Sequence, residues 1–176
     1  MPDWYEEYVD FTTCTEIDPD DELTIVDSGE FDILDQNFDA SSRLYKDYGA
    51  GFFDSDFYHE FMFEVDLGDS YHCGLLAMSN TPNGYTDFSE EDVYLSIVPG
   101  HTSLWFKLNI ATSLGGLSDE SIELMRGALY QVQVSRYGSE YQVYILLEGG
   151  IVDILYIDPG VVTAFQYLYI QHELVL

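Results

Sequence analysis

The fold is decided by Arg43 to Leu67, RLYKDYGAGFFDSDFYHEFMFEVDL, which places a strand, a glycine-hinged turn and a longer strand in succession. One face of the longer strand carries Phe57, His59, Phe61, Phe63, Val65 and Leu67, and the other carries Tyr58, Glu60, Met62, Glu64 and Asp66. A period of two is typical of a strand with one buried face.

The turn holds Gly49 and Gly51, which are followed at once by Phe52 and Phe53. Glycine takes positive φ at no steric cost. Two adjacent phenylalanines are too apolar to be left wholly in water. We therefore predict a loop that folds back and tucks both rings under the sheet.

Short apolar or alternating runs separated by turn residues continue along the chain. They predict strands at Leu23–Val26, Phe31–Leu34, Tyr71–Ser79, Asp92–Val98, Ser103–Ile110, Tyr130–Arg136, Tyr141–Leu147, Ile151–Tyr156 and Phe165–His172. Pro99-Gly100-His101 is predicted to turn between two of them. Ser118 to Gly127 fits a short helix as well as a loop or short strand.

About eleven short strands at regular spacing predict an all-β, two-sheet antiparallel jelly-roll sandwich. The chain of 176 residues has no Pro/Ser-rich linker, so we expect a single domain over residues 10–176. Residues 1–9 form an acidic, aromatic lead-in segment. Its Trp4, Tyr5 and Tyr8 are candidate partner contacts because they are more apolar than a free tail needs to be.

Three segments resemble the concanavalin A-like, laminin-G-like β-sandwich domains found in phage and environmental sequences. They are Asp10–Pro19 (DFTTCTEIDP), Arg43–Phe57 (RLYKDYGAGFFDSDF) and Ala128–Gly138 (ALYQVQVSRYG). The resemblance extends from about Asp10 to His172 and implies the jelly-roll fold. It implies no single activity, because that superfamily includes lectins, hydrolases, adhesins and structural modules.

The charge is strongly one-sided, with 33 Asp and Glu against 5 Lys and Arg and a net charge of −28. Nucleic acid and anionic membrane surfaces need clustered cations, so we expect neither as a partner. Three explanations stay open for the acidity: adaptation to high salt, loosely held divalent cations, and mimicry of DNA.

Neither a membrane-spanning run nor a basic-then-apolar leader is predicted from the sequence. We expect a protein on the surface of a virion or other extracellular particle, with a cytoplasmic location as the alternative. Cys14 and Cys73 are too few for a disulfide framework, and we expect two buried free thiols without excluding a pair.

The sharpest catalytic candidate is Glu64-Val65-Asp66-Leu67-Gly68-Asp69, which is similar to the E-x-D-x-x-E strand of one branch of jelly-roll glycoside hydrolases. Paired carboxylates would supply the nucleophile and the acid of a retaining mechanism. The last position is Asp69 rather than glutamate, and it follows a glycine. We expect no enzyme activity, and a hydrolase using Glu64 and Asp66 is the alternative.

No cofactor is expected except calcium, for which oxygen-rich loops provide candidate ligands. The main pair is Asp54 and Asp56, after the glycine turn. Further clusters are Asp18, Asp20 and Glu22, and Asp87, Glu90, Glu91 and Asp92. The four histidines are scattered, and no transition-metal site is expected. His59 is predicted to be a sheet residue rather than a ligand.

Glycan binding by such a fold needs an aromatic platform flanked by polar groups. Trp105 with Lys107 and Asn109 lies on the face of its strand opposite Leu104, Phe106, Leu108 and Ile110. Tyr58 and Tyr144 are its predicted neighbours. The open alternative for Trp105 is packing against the second sheet or a loop.

We therefore expect a non-catalytic binding or assembly module. Other virion subunits are its expected partners and a cell-surface glycan is a candidate ligand. A free halophilic lectin is a further alternative.

Overall fold

A computed structural model describes residues 9–17, 23–29, 31–33, 43–64, 72–80, 94–101, 105–112, 117–161 and 165–174. These residues contain one 3₁₀ turn at Phe11–Thr13, whose first turn is capped by the Asp10 carboxylate. They also contain fourteen strands: β1 (Thr15–Ile17), β2 (Leu23–Ile25), β3 (Phe31–Ile33), β4 (Arg43–Asp47), β5 (Phe57–Phe63), β6 (His72–Ser79), β7 (Tyr94–His101), β8 (Trp105–Thr112), β9 (Ser118–Glu120), β10 (Leu124–Met125), β11 (Tyr130–Tyr137), β12 (Glu140–Leu147), β13 (Gly150–Ile157) and β14 (Tyr167–Leu174).

Every pairing between these strands is antiparallel. The larger sheet has the order β1-β4-β14-β6-β7-β8-β10, with β9 also pairing with β8. The smaller sheet has the order β13-β12-β11-β5, and β2 and β3 form a separate hairpin. The all-β antiparallel sandwich is confirmed, whereas the jelly-roll path of the chain stays a prediction.

The core lies between the larger sheet and the smaller sheet. From β8 it receives Phe106, Leu108 and Ile110, and from the smaller sheet it receives Val132, Val134, Val143 and Ile145. Each set occupies alternate positions of its strand, because successive side chains of a strand point to opposite faces. The alternation predicted for β5 is confirmed over Phe57 to Phe63, where Phe57, His59, Phe61 and Phe63 are the less exposed set.

The loop before β5 takes the predicted shape with one difference. Gly49 and Gly51 have φ of 87° and 79°, a region that favours glycine. Phe53 is only 8% exposed and belongs to the core, as expected. Phe52, however, is 40% exposed and stacks on Tyr48 with ring centroids 4.6 Å apart. The prediction that both rings are tucked under the sheet is therefore wrong for Phe52, because the neighbouring tyrosine covers one side of its ring.

The turn predicted at Pro99-Gly100-His101 is also wrong. These residues belong to β7 and lie opposite Leu108, Lys107 and Phe106 of β8. Proline is tolerated here because the pairing of β7 with β6 ends at Ile97. Pro99 lies beyond that pairing, so its missing N–H costs no hydrogen bond to β6. The next strand, β8, begins at Trp105, and residues 102–104 lie outside the described ranges.

Ser118 to Gly127 forms two short strands and no helix. Leu108 N donates to Ser121 Oγ at 2.9 Å, and Ser121 N donates to Leu108 O at 2.9 Å. These bonds extend the pairing of β9 with β8 beyond Glu120. The edge of β8 thus supplies hydrogen-bond partners that an isolated helical turn would lack. The loop-or-strand alternative is therefore correct.

Two aspartates close one side of the sandwich by linking β9 to β13. Asp119 Oδ2 accepts from Tyr156 N at 2.9 Å. In return, Asp153 accepts from Ile122 N at 2.7 Å and from Ile154 N at 2.8 Å. The N–H groups of Ile154 and Tyr156, on the outer strand of the smaller sheet, are therefore capped by carboxylates, a device that blunts an edge strand.

Candidate functional site

The side chains on the outward face of the smaller sheet form a regular array, which we call the tyrosine–glutamine face. Cross-strand pairing arranges it in three rows across β5, β11, β12 and β13. The rows are Tyr58, Ser135, Gln142 and Tyr156; Glu60, Gln133, Tyr144 and Ile154; and Met62, Gln131, Leu146 and Ile151. Tyr137 and Glu140, also cross-strand partners, extend it at the β11–β12 turn.

Much of this face is open to solvent. Tyr58 is 50% exposed, Met62 60% and Tyr156 45%. Ser135 lies at the floor of the first row and is buried. Rings with an accessible side, next to amide and carboxylate groups, combine an apolar surface with hydrogen-bonding groups in one patch.

Glu60 organises the polar half of the face. Its carboxylate accepts from Gln131 Nε2 at 2.7 Å and from Gln133 Nε2 at 3.1 Å. It also accepts a hydrogen bond from the Tyr58 hydroxyl. Three side chains from two strands are thus held by one carboxylate, so one ring and two amides have fixed positions before any ligand arrives.

These contacts also fix protonation. The hydrogen bonds from Tyr58 and Gln131 lower the pKa of Glu60 below its ordinary value. Partial burial, together with the hydrogen bond to Glu60 and its charge, raises the pKa of Tyr58 to about 12. At neutral pH the pair is a carboxylate and a neutral phenol, and the phenol is always the donor.

The other tyrosines have similar anchors. The Tyr144 hydroxyl donates to Gln142 Oε1 at 2.9 Å. The amide oxygen of Gln142 is therefore used as an acceptor within the face, and its amide nitrogen can donate to a ligand. Loss of hydration, followed by the nearby charge of Glu140, raises the pKa of Tyr156, which also hydrogen-bonds to Glu140. Both rings are therefore tied to a polar neighbour on the same face.

The predicted glycan residues do not form one site. Tyr58 and Tyr144 both lie on the tyrosine–glutamine face, in adjacent rows. Trp105, Lys107 and Asn109 belong to β8 in the other sheet, so the grouping of all five was wrong. Alternation in the sequence predicts which side chains of a strand point outward, but it does not predict the sheet to which the strand belongs. Only the strand pairing separates the two sets.

On β8, Trp105 is 43% exposed, opposite Met125 of β10. It does point away from the core residues Phe106 and Leu108, as predicted. Lys107 forms an ion pair with Glu120 of β9. The backbone of Asn109 also pairs with Glu120. Among the described side chains, this part of the larger sheet presents an exposed ring beside an ion pair.

Of the candidate calcium ligands, the structure describes Asp54 and Asp56. Asp56 Oδ1 accepts from Gly138 N at 2.7 Å, so this carboxylate holds the β11–β12 turn against the loop before β5. Within the described ranges, no group of three or more His, Cys, Asp or Glu could hold a metal ion. The clusters at residues 18–22 and 87–92 lie outside those ranges.

Several other predicted residues are only partly described. Glu64 is exposed just after β5, whereas Asp66 and Asp69 lie outside the described residues, so the carboxylate motif stays a prediction. Trp4, Tyr5 and Tyr8 also lie outside them. Cys14 is partly buried and its thiol donates to Asp10 O at 3.7 Å. Burial raises the pKa of that thiol, which makes it a poorer nucleophile.

The sequence analysis did not select Glu60, Gln131, Gln133, Gln142 or Tyr156 as site residues. A signal was present, because Gln131 and Gln133, and then Gln142 and Tyr144, alternate with apolar residues on consecutive strands. Outward polar residues of this kind are ordinary on any half-exposed sheet. Only the register places them around Glu60.

Fold and site together define an antiparallel β-sandwich with an ordered polar and aromatic face. No protein-family model and no curated protein matches the chain. Over the residues described, no helix is long and apolar enough to cross a membrane.

Proposed function

We propose that this protein is a non-catalytic binding module that recognises carbohydrate on its tyrosine–glutamine face. The observation that carries the proposal is the Glu60 network, which holds Tyr58, Gln131 and Gln133 in fixed positions on an exposed sheet. Sugars present C–H faces that stack on rings and hydroxyls that bond to amides and carboxylates. The face offers both kinds of group side by side.

The state of Glu60 supports a binding role over that of a glycosidase's general acid. A glycosidase acid needs a raised pKa so that it still carries a proton near neutral pH. The pKa of Glu60 is instead lowered by the side chains that donate to it. Glu60 is therefore suited to ordering its neighbours and unsuited to giving a proton to a leaving group.

The setting that we propose is the surface of a virus particle, where the module would act within an assembly of subunits. This part of the proposal is supported by the resemblance to domains of phage and environmental sequences. The net charge of −28 agrees with a protein that presents its acid to solvent. Co-purification of the protein with virus particles from its native source would test the setting separately from ligand binding.

Replacing Tyr144 by alanine is expected to weaken carbohydrate binding about tenfold, the equivalent of about 1.4 kcal/mol, because a stacking ring is lost from the centre of the face. The measurement is calorimetric titration with the oligosaccharide that binds best in a panel of glucose, galactose, mannose, xylose and N-acetylglucosamine polymers. Trp105→Ala is the matched control, since it removes an exposed ring from the other sheet and should leave affinity unchanged.

The proposal fails if no carbohydrate in the panel binds. It also fails if Trp105→Ala abolishes binding while Tyr144→Ala, shown by circular dichroism to be folded, binds like the unaltered protein.

A further inference from the structure

We infer that the ligand of the tyrosine–glutamine face is an uncharged oligosaccharide that lies across the strands from Tyr58 to Tyr156. The inference rests on the proposed function and adds the length, charge and direction of the ligand. It follows from the register of the smaller sheet and from the charges of its outward residues.

The two tyrosines stand at the ends of one row. Tyr58 of β5 pairs with Ser135, Ser135 with Gln142, and Gln142 with Tyr156 of β13. Three spacings between neighbouring strands separate their Cα atoms by ~14 Å. A single sugar cannot reach both rings, whereas a chain of several sugars can.

The middle of the row carries its smallest side chain. Ser135 is buried beside Tyr58 and Gln142, so no projecting group stands between the two tyrosines at that position. The Gln142 amide nitrogen can donate to a ligand, because its oxygen accepts from Tyr144. A chain that crosses the strands would stack at both ends and find a donor between them.

Charge restricts the ligand further. The outward residues of the three rows and the turn include Glu60 and Glu140 and neither Lys nor Arg. Glu60 stays ionised at neutral pH because its pKa is lowered. A carboxylate or sulfate on the sugar would meet these charges within the screening length of ~8 Å at physiological salt. Uronic, sialylated and sulfated chains are therefore disfavoured.

Glu60 acts here mainly as a positioning residue. An ionised carboxylate has about four lone-pair sites, and Tyr58, Gln131 and Gln133 occupy three of them. At most one is left for a sugar hydroxyl. Within the described structure the Gln131 and Gln133 amide oxygens keep their acceptor capacity, which suits a ligand rich in hydroxyl donors.

The test uses the intact protein on a glycan array with neutral and anionic chains, each as monosaccharide, disaccharide and hexasaccharide. We expect the neutral hexasaccharides to bind at least tenfold more tightly than the monosaccharides. Anionic chains of the same length should bind at least tenfold more weakly than the neutral ones. For the best neutral hexasaccharide, Tyr58→Ala and Tyr156→Ala should each lower the affinity about tenfold, and Trp105→Ala should not change it.

Three outcomes would overturn the inference. Monosaccharides that bind as tightly as hexasaccharides would refute the length, and anionic chains that bind as tightly as neutral ones would refute the charge. An effect of Tyr58→Ala without an effect of Tyr156→Ala would refute the direction. In all three cases, binding that still depends on Tyr144 leaves the proposed function standing, whereas an array with no bound glycan overturns both.

Discussion

Replacing Phe106 by alanine is expected to lower the free energy of unfolding by ~3–5 kcal/mol. Phe106 of β8 is buried and meets the smaller sheet through two rings. Its centroid is 5.7 Å from that of Phe63 on β5 and 5.8 Å from that of Tyr130 on β11, both edge to face. Truncation would leave a cavity between the sheets and remove both ring contacts. Denaturant unfolding followed by circular dichroism measures the loss.

Lys107→Ala is the matched control for this prediction. Lys107 is the next residue of the same strand and points the other way, to an exposed ion pair with Glu120. Exposed ion pairs contribute little to stability, so this variant should unfold close to the unaltered protein. Equal, small losses for the two variants would contradict the packing of β8 against the smaller sheet.

His59 is expected to reduce stability on acidification by ~3 kcal/mol between pH 7.5 and pH 4. Burial on the inward side of β5 lowers its pKa from 6.5 to about 4. As the pH falls below 6.5, His59 binds a proton in the unfolded chain but not yet in the folded protein, so the equilibrium moves toward the unfolded state. The loss is complete once the pH falls below the folded pKa. A difference of one between the pKa of the unfolded chain and that of the folded protein corresponds to ~1.4 kcal/mol.

The measurement compares the pH dependence of unfolding for the unaltered protein and for His59→Gln. Protonation of the many carboxylates relieves repulsion in both proteins, so this contribution cancels in the difference. The variant should lose less stability than the unaltered protein as the pH falls. Parallel curves would show that His59 titrates in the folded protein as it does in the unfolded chain.

The strand content of the fold could be predicted because each strand carries its own signal. The alternation from Phe57 to Phe63 and the runs that became β11, β12 and β13 each identify a buried face. The errors fell where a neighbouring strand decides the structure. Pro99 lies within a strand because the pairing of β7 with β6 ends at Ile97, and Ser118–Glu120 is extended because β8 offers an edge. Local propensity cannot supply either fact.

The candidate site could be predicted only residue by residue. Alternation shows that Tyr58, Tyr144 and Trp105 all point outward. It does not show that Trp105 belongs to the other sheet, or that Glu60 faces Gln131 and Gln133 across a strand boundary. Those relations join residues more than 70 positions apart and depend on the register between β5 and β11.

The central claim, that carbohydrate binds on the tyrosine–glutamine face, is tested most directly by nuclear magnetic resonance of the isotopically labelled protein titrated with the best-binding neutral oligosaccharide. The side-chain amides of Gln131, Gln133 and Gln142 should shift on binding. The Gln166 amide, held by Asp47 next to β14 in the larger sheet, and the Trp105 indole should stay in place. Shifts of the Trp105 indole with unchanged glutamine amides on the smaller sheet would contradict the claim.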